Sequence, residues 1–540
     1  MLSLKIDGQP VDLPNDFSVT MNLKSPAFNE VGSYSYPFKI PNTPRNSIVL
    51  GFRHRIPSTN DPYSSNYGEF MWKQSRLFSG SVKMKLFNNS YFEGNIIDGN
   101  GDFNYSRKLD YLQDIDFGEI IFNNENEKIS YVNSCAGKVY PDCNIVFPQI
   151  LNKSYFDELP ENNGLWYFNP YLPDNIPLVF SGSTQRTVIV PMLYLRYILS
   201  KVFLHIGYTF DDQFFTTHSD YNSLALFNVV DCNSAASGFF LYDIEKLLLN
   251  YHVPRMGLND FFAGLESFFN IRFFVNNNIR KISLISVDSI IKNASYTDYS
   301  SRIISISHEP NDQIQGFRLG MQMETDDEFY NTKKELDEEM LSHLKNTVQS
   351  VADLNPWPRD AVGDLRYVLD ENKYYRLWSN KIWIPWTENV DLFFEYIYRT
   401  QDQSIETKFS TLLNNNPGEP AVVGNSRKDW KSVSGKLFFT EHRTNDPVWK
   451  YVVALPSTNN NSLYFGGDNG LFAKYYKSFF DFRISTKKVK ITRLMDQSEL
   501  KDFDFSKKYM VNGTKYLVSS IQVTIKRDRI MPAVMECYPV

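Results

Sequence analysis

The chain has 540 residues, of which 42% are hydrophobic and 22% are charged, and its formal net charge is -6. This length is too great for one hydrophobic core and predicts three or four domains. Because Lys and Arg form no concentrated basic block, the composition argues against a protein that grips duplex DNA. The 15% share of aromatic residues favours strands and contact surfaces, although an AT-rich genome would raise Phe and Tyr in the same way.

Residues 1–118 are predicted to form an N-terminal β-barrel-like domain. Apolar residues alternate from Leu2 to Ile6, and Asp7-Gly8 then provides a turn. Residues 78–87 and 91–97 have the pattern of a hairpin. Several short strands around one core are typical of a sandwich or a small barrel.

The middle of the chain contains two regions that differ in composition and in predicted structure. Residues 119–185 are rich in Asn, Asp, Tyr and Pro, which predicts an aromatic, loop-rich insertion. Residues 186–295 are predicted to form an α+β module. It contains a helix that ends at Gly207, a second helix along 258–269 and a β-hairpin from 271 to 287.

Residues 296–540 are predicted to form a C-terminal, β-rich, tube-like domain that includes a Trp-rich segment. A polar helix is expected near 332–345, and successive short strands are expected across 365–386. At the end of the chain, a short aromatic helix at 471–480 precedes strands that turn at Asn512-Gly513. The predicted fold class is therefore α+β and mostly β, with two tube-like barrel or sandwich domains and an inserted α+β module.

No sequence motif of a known catalytic or cofactor site is present. The chain lacks the HExxH, CxxC, GxSxG and phosphate-loop patterns, so we expect no enzyme, no cofactor and no metal. A glycosidase needs only two carboxylates, and the 62 acidic residues leave that alternative open. Cys135 and Cys143, with seven residues between them, have neither zinc nor redox spacing. Buried free thiols are favoured for all the cysteines over a metal site or a disulfide.

Four tryptophans lie within thirty residues and are the candidate contact residues: Trp357, Trp378, Trp383 and Trp386. Their functional interpretation is a surface that docks a partner or stacks on a glycan. Packing between strands is the alternative, and it is favoured because Trp383 and Trp386 flank what resembles a strand end.

The sequence also makes a prediction about location. It begins without a positive segment followed by an apolar run, and no stretch approaches the ~18 apolar residues of a spanning helix. We therefore expect a protein that is made and kept in a reducing cytoplasm until a route other than Sec export moves it.

Three stretches carry a resemblance to one family. They are LKIDGQPVDL with SYPFKIPNTPRNSIVLG near the start, VPMLYLRYILSKVFLHIGYTF with HVPRMGLNDFFAGLESFFNIRFFV in the middle, and residues 470–540 at the end. In this order they resemble the tail-hub and baseplate-hub proteins of phages and prophages of Bacteroidetes.

The resemblance implies a structural virion protein of the tail, assembled in the host cytoplasm. It implies a homo-oligomer, with a trimer favoured, that joins the tail tube to the tail tip or fibre proteins. Genomic DNA would pass through its channel without sequence-specific binding. The long aromatic insertion at 119–185 and the Trp-rich segment depart from compact family members and would also fit an adaptor in a short tail, which leaves the trimer open. Two alternatives are a receptor- or glycan-binding tail protein and a tail enzyme that degrades polysaccharide.

Overall fold

The structure is a computed structural model of the chain. It describes residues 1–28, 32–52, 66–101, 110–152, 155, 166–169, 188–217, 219–232, 246–277, 279–308, 314–322, 348–354, 365–368, 371, 373–379, 382–385, 394–399, 402–413, 420–423, 435–443 and 452–540. Trp357, Trp386 and the polar helix predicted near 332–345 lie outside these residues.

The described strands of the first half of the chain are β1 Leu2–Ile6, β2 Gln9–Val11, β3 Ser18–Lys24, β4 Ser33–Ser35, β5 Phe38–Pro41, β6 Asn66–Trp72, β7 Ser75–Phe87, β8 Tyr91–Asp98, β9 Glu119–Ile121, β10 Ile145–Val146, β11 Ile150–Leu151, β12 Tyr167–Phe168, β13 Met192–Leu193, β14 Thr209–Asp211, β15 Leu224–Leu226, β16 Lys246–Leu248, β17 Ile271–Asn276 and β18 Lys281–Ser286. Those of the second half are β19 Tyr296–Asp298, β20 Ile303–His308, β21 Phe317–Met321, β22 Leu365–Val368, β23 Lys373–Ser379, β24 Ile382–Pro385, β25 Glu395–Tyr398, β26 Gln403–Thr407, β27 Ser410–Thr411, β28 Lys436–His442, β29 Val452–Leu455, β30 Val489–Arg493, β31 Lys508–Val511, β32 Thr514–Lys526 and β33 Ala533–Pro539.

The α-helices of the described residues are α1 Pro44–Val49, α2 Glu125–Cys135, α3 Leu195–His205, α4 Gln213–Thr216, α5 Leu258–Phe269, α6 Val287–Lys292, α7 Lys477–Ser485 and α8 Gln497–Lys501. Short 3₁₀ turns occur at Leu112–Asp114, Ser219–Ser223, Leu249–His252 and Val351–Asp353, and a π-helical turn at Phe472–Tyr476 leads into α7.

One sheet of 14 strands joins the two ends of the chain. Its order is β2-β1-β6-β7-β8-β4-β3-β32-β33-β30-β20, with β5 on β8 and with β31 between β32 and β19. The junction is β3 on β32, an antiparallel pair whose register runs from Ser18 opposite Lys526 to Lys24 opposite Ser520. The strands of the two chain ends, predicted as separate tube-like domains, therefore continue in a single sheet.

The two faces of this junction differ in polarity because side chains alternate along a strand. Val19 and Met21 of β3 and Ile521 and Val523 of β32 are buried in one core that both chain ends share. On the other face, the hydroxyls of Thr20 and Thr524 hydrogen-bond at 2.8 Å. The buried face holds the ends of the chain together, and the opposite face is polar.

A second, larger core is formed mainly by residues between 112 and 480, which the chain inserts between strands of the large sheet. Here α3 and α5 pack through aromatic rings: Phe203 stacks on Phe262 at 5.5 Å, and Phe262 meets Phe273 of β17 edge-on at 5.1 Å. Gly264 lets α5 lie close to Phe409, since a Cβ at residue 264 would be only 2.8 Å from the Phe409 ring. The helical periodicity of the sequence thus corresponds to a buried aromatic face.

The predicted fold class, α+β and mostly β, is confirmed. The sheets of the described residues are open rather than closed. The turns predicted at Asp7-Gly8 and Asn512-Gly513 join β1 to β2 and β31 to β32, with positive φ at both positions of each turn. The domain boundaries near 118, 185 and 295 stay a prediction.

Candidate assembly surface

The four predicted contact tryptophans are placed unevenly. Trp357 and Trp386 lie outside the described residues, and Trp378 is described as part of β23 without its side chain. Trp383 lies in β24, opposite Leu377, and its ring is partly buried. The Arg366 guanidinium lies 5.4 Å from the centre of that ring. A partner or glycan surface at these residues stays a prediction.

The described surface that most favours contact with another chain is the β20 edge, which we define as Ile303–His308. In the described part of the chain, β20 pairs with β30 on one side and with no strand on the other. Ile304 is 55% exposed and Ile306 is 37% exposed. Ile306 lies opposite Ile491, which is fully buried, so the apolar face of the sheet continues out to this edge.

A compact cluster of ion pairs fixes the residues that lead into the β20 edge. Arg493, at the end of β30, is buried; its Nε donates to the Ser301 carbonyl at 2.9 Å and its Nη2 to Glu499 Oε1 at 2.7 Å. The guanidinium also lies 4.1 Å from the centre of the Tyr299 ring. These contacts hold the segment that leads into β20, because Ser301 and Tyr299 immediately precede it.

Helix α8 supplies the acidic half of this cluster. Asp496 caps the helix by accepting from the Glu499 backbone N–H at 3.0 Å, and the Glu499 side chain accepts from the Asp496 N–H at 2.9 Å. Arg302 lies between the two carboxylates, at 3.2 Å from Asp496 and 3.3 Å from Glu499. The sequence D-x-x-E at this helix start thus gives a capping box that also positions two anions for the arginines.

The ionisation of both acids follows from these contacts. The Glu499 backbone N–H and the Ser498 hydroxyl lower the pKa of Asp496 to about 2. Burial opposes ionisation of Glu499, but the Arg493 guanidinium and the Asp496 N–H hold its pKa below the ordinary value. Both carboxyl groups are therefore charged at neutral pH, and the cluster is a network of ion pairs.

The opposite edge of the sheet, strand β2, is protected. It has three residues, and the central one is Pro10, which has no backbone N–H to donate to a further strand. Asp12, just beyond β2, accepts at 2.8 Å from the Thr43 hydroxyl that caps α1. A short edge with a proline and a neighbouring helix is a common protection against pairing with other chains.

The sequence prediction did not identify the β20 edge. A signal was present, since the run Ile303-Ile304-Ser305-Ile306 is strand-like and is followed by polar residues. Its exposure could not be read from that run, because the same pattern is typical of a half-buried central strand.

Within the described ranges, no three His, Cys, Asp or Glu side chains are close enough together to hold a metal ion. Among the described helices, none combines the length and apolar character that crossing a bilayer requires.

No protein-family model matches the chain, and no curated protein matches it. Among solved structures, it is similar to the 43 kDa tail protein of prophage MuSo2 from Shewanella oneidensis, with 7% identity and a TM-score of 0.31 over 99% of this chain and 97% of that one. It is also similar to a tail protein from Neisseria meningitidis MC58, with 8% identity and a TM-score of 0.30 over 99% of this chain and 95% of that one. At these TM-scores neither likeness defines a shared fold.

Proposed function

We propose that the chain is a structural protein of a phage tail. In this proposal it acts as the tail hub or baseplate hub that joins the tail tube to the tail tip and lines the DNA exit channel. The resemblance of the three sequence stretches suggests this role, and the β20 edge is the observation that supports it best. A structural role of this kind requires surfaces that other subunits complete.

From Ser305 to His308, beyond a β-bulge between Ile303 and Ser305, the β20 edge has the features of such a surface. A strand edge presents backbone N–H and C=O groups that a strand of a neighbouring copy can pair with. Pairing there would also cover the exposed parts of Ile304 and Ile306, and each partial burial would contribute about 1 kcal/mol. A ring of copies, with a trimer favoured, would close this edge in every subunit when β20 meets a different surface of the next copy, since pairing of β20 with itself would give a dimer instead.

The position of the second core fits the same role. Since both chain ends lie in one sheet, the residues between them form a large insertion attached to that sheet. In a ring built from the sheets, such insertions could project outward toward tail tube, tip or fibre proteins. We propose that this is how the hub contacts its neighbours in the tail.

The polar face of the chain-end junction is suited to a channel wall. Thr20 and Thr524 share a hydrogen bond, and Asn22 lies opposite Gln522. Hydroxyl and amide groups can hydrogen-bond to water and phosphate oxygens without the ion pairing that makes DNA binding strong. A wall of this kind would let the duplex move past it.

The decisive experiment measures assembly of the full chain. Mass photometry over a range of concentrations, with negative-stain micrographs, should show closed rings for the natural protein. The double variant Ile304→Lys/Ile306→Lys places two charges on the edge and should shift the population to monomers.

The matched control is Ile279→Lys, because Ile279 is 64% exposed and lies near the β17–β18 turn, in a different sheet from β20. This variant should assemble as the natural protein does, and all three proteins should melt at similar temperatures. A natural protein that stays monomeric at every concentration, or rings that survive the double substitution, would contradict the proposal. Locating the chain in micrographs of intact particles would test the hub position separately.

A further inference from the structure

Cys135 and Cys143 are brought together by a short loop. Cys135 is the last residue of α2, and Cys143 lies just before β10. Both are free thiols, and their Sγ atoms are 3.1 Å apart. A disulfide has an S–S bond of about 2.05 Å, so a shift of roughly 1 Å would bring the sulfurs to bonding distance.

The loop between them is held by contacts of its own. The Tyr194 hydroxyl donates to the Lys138 carbonyl at 2.8 Å, and the Asp142 N–H donates to the Val139 carbonyl at 2.8 Å. The Tyr140 N–H reaches the Asn222 carbonyl at 3.3 Å. The two sulfurs are therefore held near each other by the fold, rather than meeting through motion of a free loop.

The two thiols differ in environment. Cys135 is buried, whereas Cys143 is partly exposed. The contact with the Cys135 sulfur lowers the pKa of Cys143, burial opposes this effect, and the backbone N–H groups of Ile145 and Asn144 lower the pKa further. The same contact, together with burial, raises the pKa of Cys135. The more accessible sulfur is thus also the one that favours the reactive thiolate.

We propose that Cys135 and Cys143 are a redox modification site, at which a hydroperoxide converts the dithiol to a disulfide. The Cys143 thiolate attacks one peroxide oxygen, the O–O bond breaks, and a sulfenic acid and hydroxide (or alkoxide) form. The Cys135 sulfur then attacks Cys143 Sγ, the S–O bond breaks, and the leaving hydroxide takes the Cys135 proton as water. Two thiols lose two electrons and two protons, and the peroxide is reduced to two hydroxylic products.

The disulfide would hold α2 in place. Of the side chains of α2 that the structure describes, Val132 and Cys135 are buried and Tyr131 contacts Phe122 at 5.8 Å between ring centres. Few of these described side chains are buried, which is typical of a region of low local stability. A covalent link at its last residue would tie it to the loop that Tyr194 already binds. This site is independent of the proposed function.

The test uses the purified, reduced full chain and hydrogen peroxide. Peptide mapping without reduction should find Cys135 linked to Cys143 in the natural protein, and the melting temperature should rise by a few degrees. Cys135→Ser should instead accumulate a sulfenic acid at Cys143 that dimedone labels. Cys143→Ser should show much weaker labelling at Cys135 and no rise in melting temperature.

Cys232→Ser serves as the control, and it should form the Cys135–Cys143 link as the natural protein does. Absence of this link in the oxidised natural protein overturns the proposal, and that result does not depend on whether any variant folds. Equal labelling of Cys135 in Cys143→Ser would also overturn it, because the assigned order of attack would then be wrong. Ring assembly is measured separately, so neither result bears on the proposed function.

Discussion

Two edges of the large sheet, β2 and β20, differ in length, composition and support. Strand β2 has three residues, contains Pro10 and lies beside a helix, whereas β20 has six residues and exposes Ile304 and Ile306. A buried arginine and two acids hold the segment leading into β20. One edge is built against pairing, and the other is kept ordered although it exposes apolar side chains. That contrast fits a subunit that pairs with other chains at β20 rather than at β2.

Removal of the support beneath β20 should have the largest effect. Arg493→Met deletes the guanidinium that pairs with Glu499 and the Ser301 carbonyl, and it leaves a partly buried carboxylate with less compensation. Breaking a buried pair in this way costs about 3 kcal/mol. Hydrogen exchange should show that the free energy of local opening at β20 and β30 is lower by that amount in the variant.

The matched control lies at the other edge. Arg45→Met removes the exposed ion pair with Asp12 beside β2, which spans 3.2 Å. Exposed pairs of this kind contribute less than about 1 kcal/mol, so exchange at β2 should change little. If both variants lowered the free energy of local opening at their own edge by the same amount, the Arg493 cluster would not stabilise β20 more than the exposed ion pair stabilises β2.

The second prediction removes the proline that protects β2 from pairing with other chains. Pro10→Thr restores a backbone N–H and a side chain that favours strands, so β2 should gain a weak tendency to pair with other copies. The free energy of self-association should become more favourable by about 1 kcal/mol, which is a roughly fivefold higher association constant. Sedimentation velocity should detect this change. Gln9→Thr, which keeps the proline, should sediment as the natural protein does. If Pro10→Thr also does so, the proline is not what protects this edge.

The local elements of both regions could be predicted from the sequence. The hairpin predicted at 78–87 and 91–97 is β7 Ser75–Phe87 with β8 Tyr91–Asp98. The helix predicted along 258–269 is α5, and short strands expected across 365–386 include β22, β23 and β24. Each depends on residues close together in sequence, where periodicity and turn residues determine the conformation.

The joining of the chain ends could not be predicted in this way. Nothing in residues 18–24 encodes a pairing with residues 520–526, because any two alternating strands of similar length are compatible. For the same reason the two ends suggested separate tubes. The β20 edge was missed because exposure depends on which strands find neighbours, and that is settled by the whole fold. The tryptophans remain an untested prediction.

The third prediction concerns how the stability of the protein changes at acidic pH. Since the folded pKa of Asp496 is lowered to about 2, its stabilising contribution is complete above the ordinary pKa of an aspartate and is lost as the pH falls toward 2. Asp496→Asn keeps a good helix cap but removes the charge. The natural protein should therefore melt at a slightly higher temperature than this variant at pH 6, and the difference should vanish near pH 2. A difference that does not change with pH would assign the effect to capping alone.

The smallest effect on assembly is expected at a third edge, that of β24 in the three-stranded sheet with β22 and β23. Trp383 is partly buried there and its ring lies beneath Arg366, so Trp383→Ala should lose about 1 kcal/mol of local stability. Ring assembly should stay unchanged, because this sheet does not include β20. The neighbouring Ile382→Ala, at a residue that is 57% exposed, is the control for a truncated side chain on the same strand.

A glycan array with these two variants separates the hub from the receptor-binding alternative. A sugar stacks on a free aromatic face, and the Arg366 guanidinium occupies one face of the Trp383 ring. We therefore expect the same array signal from the natural protein, Trp383→Ala and Ile382→Ala. Glycan binding that disappears in Trp383→Ala and persists in Ile382→Ala would instead favour a receptor-binding tail protein, and β24 rather than β20 would then be the edge that matters for function.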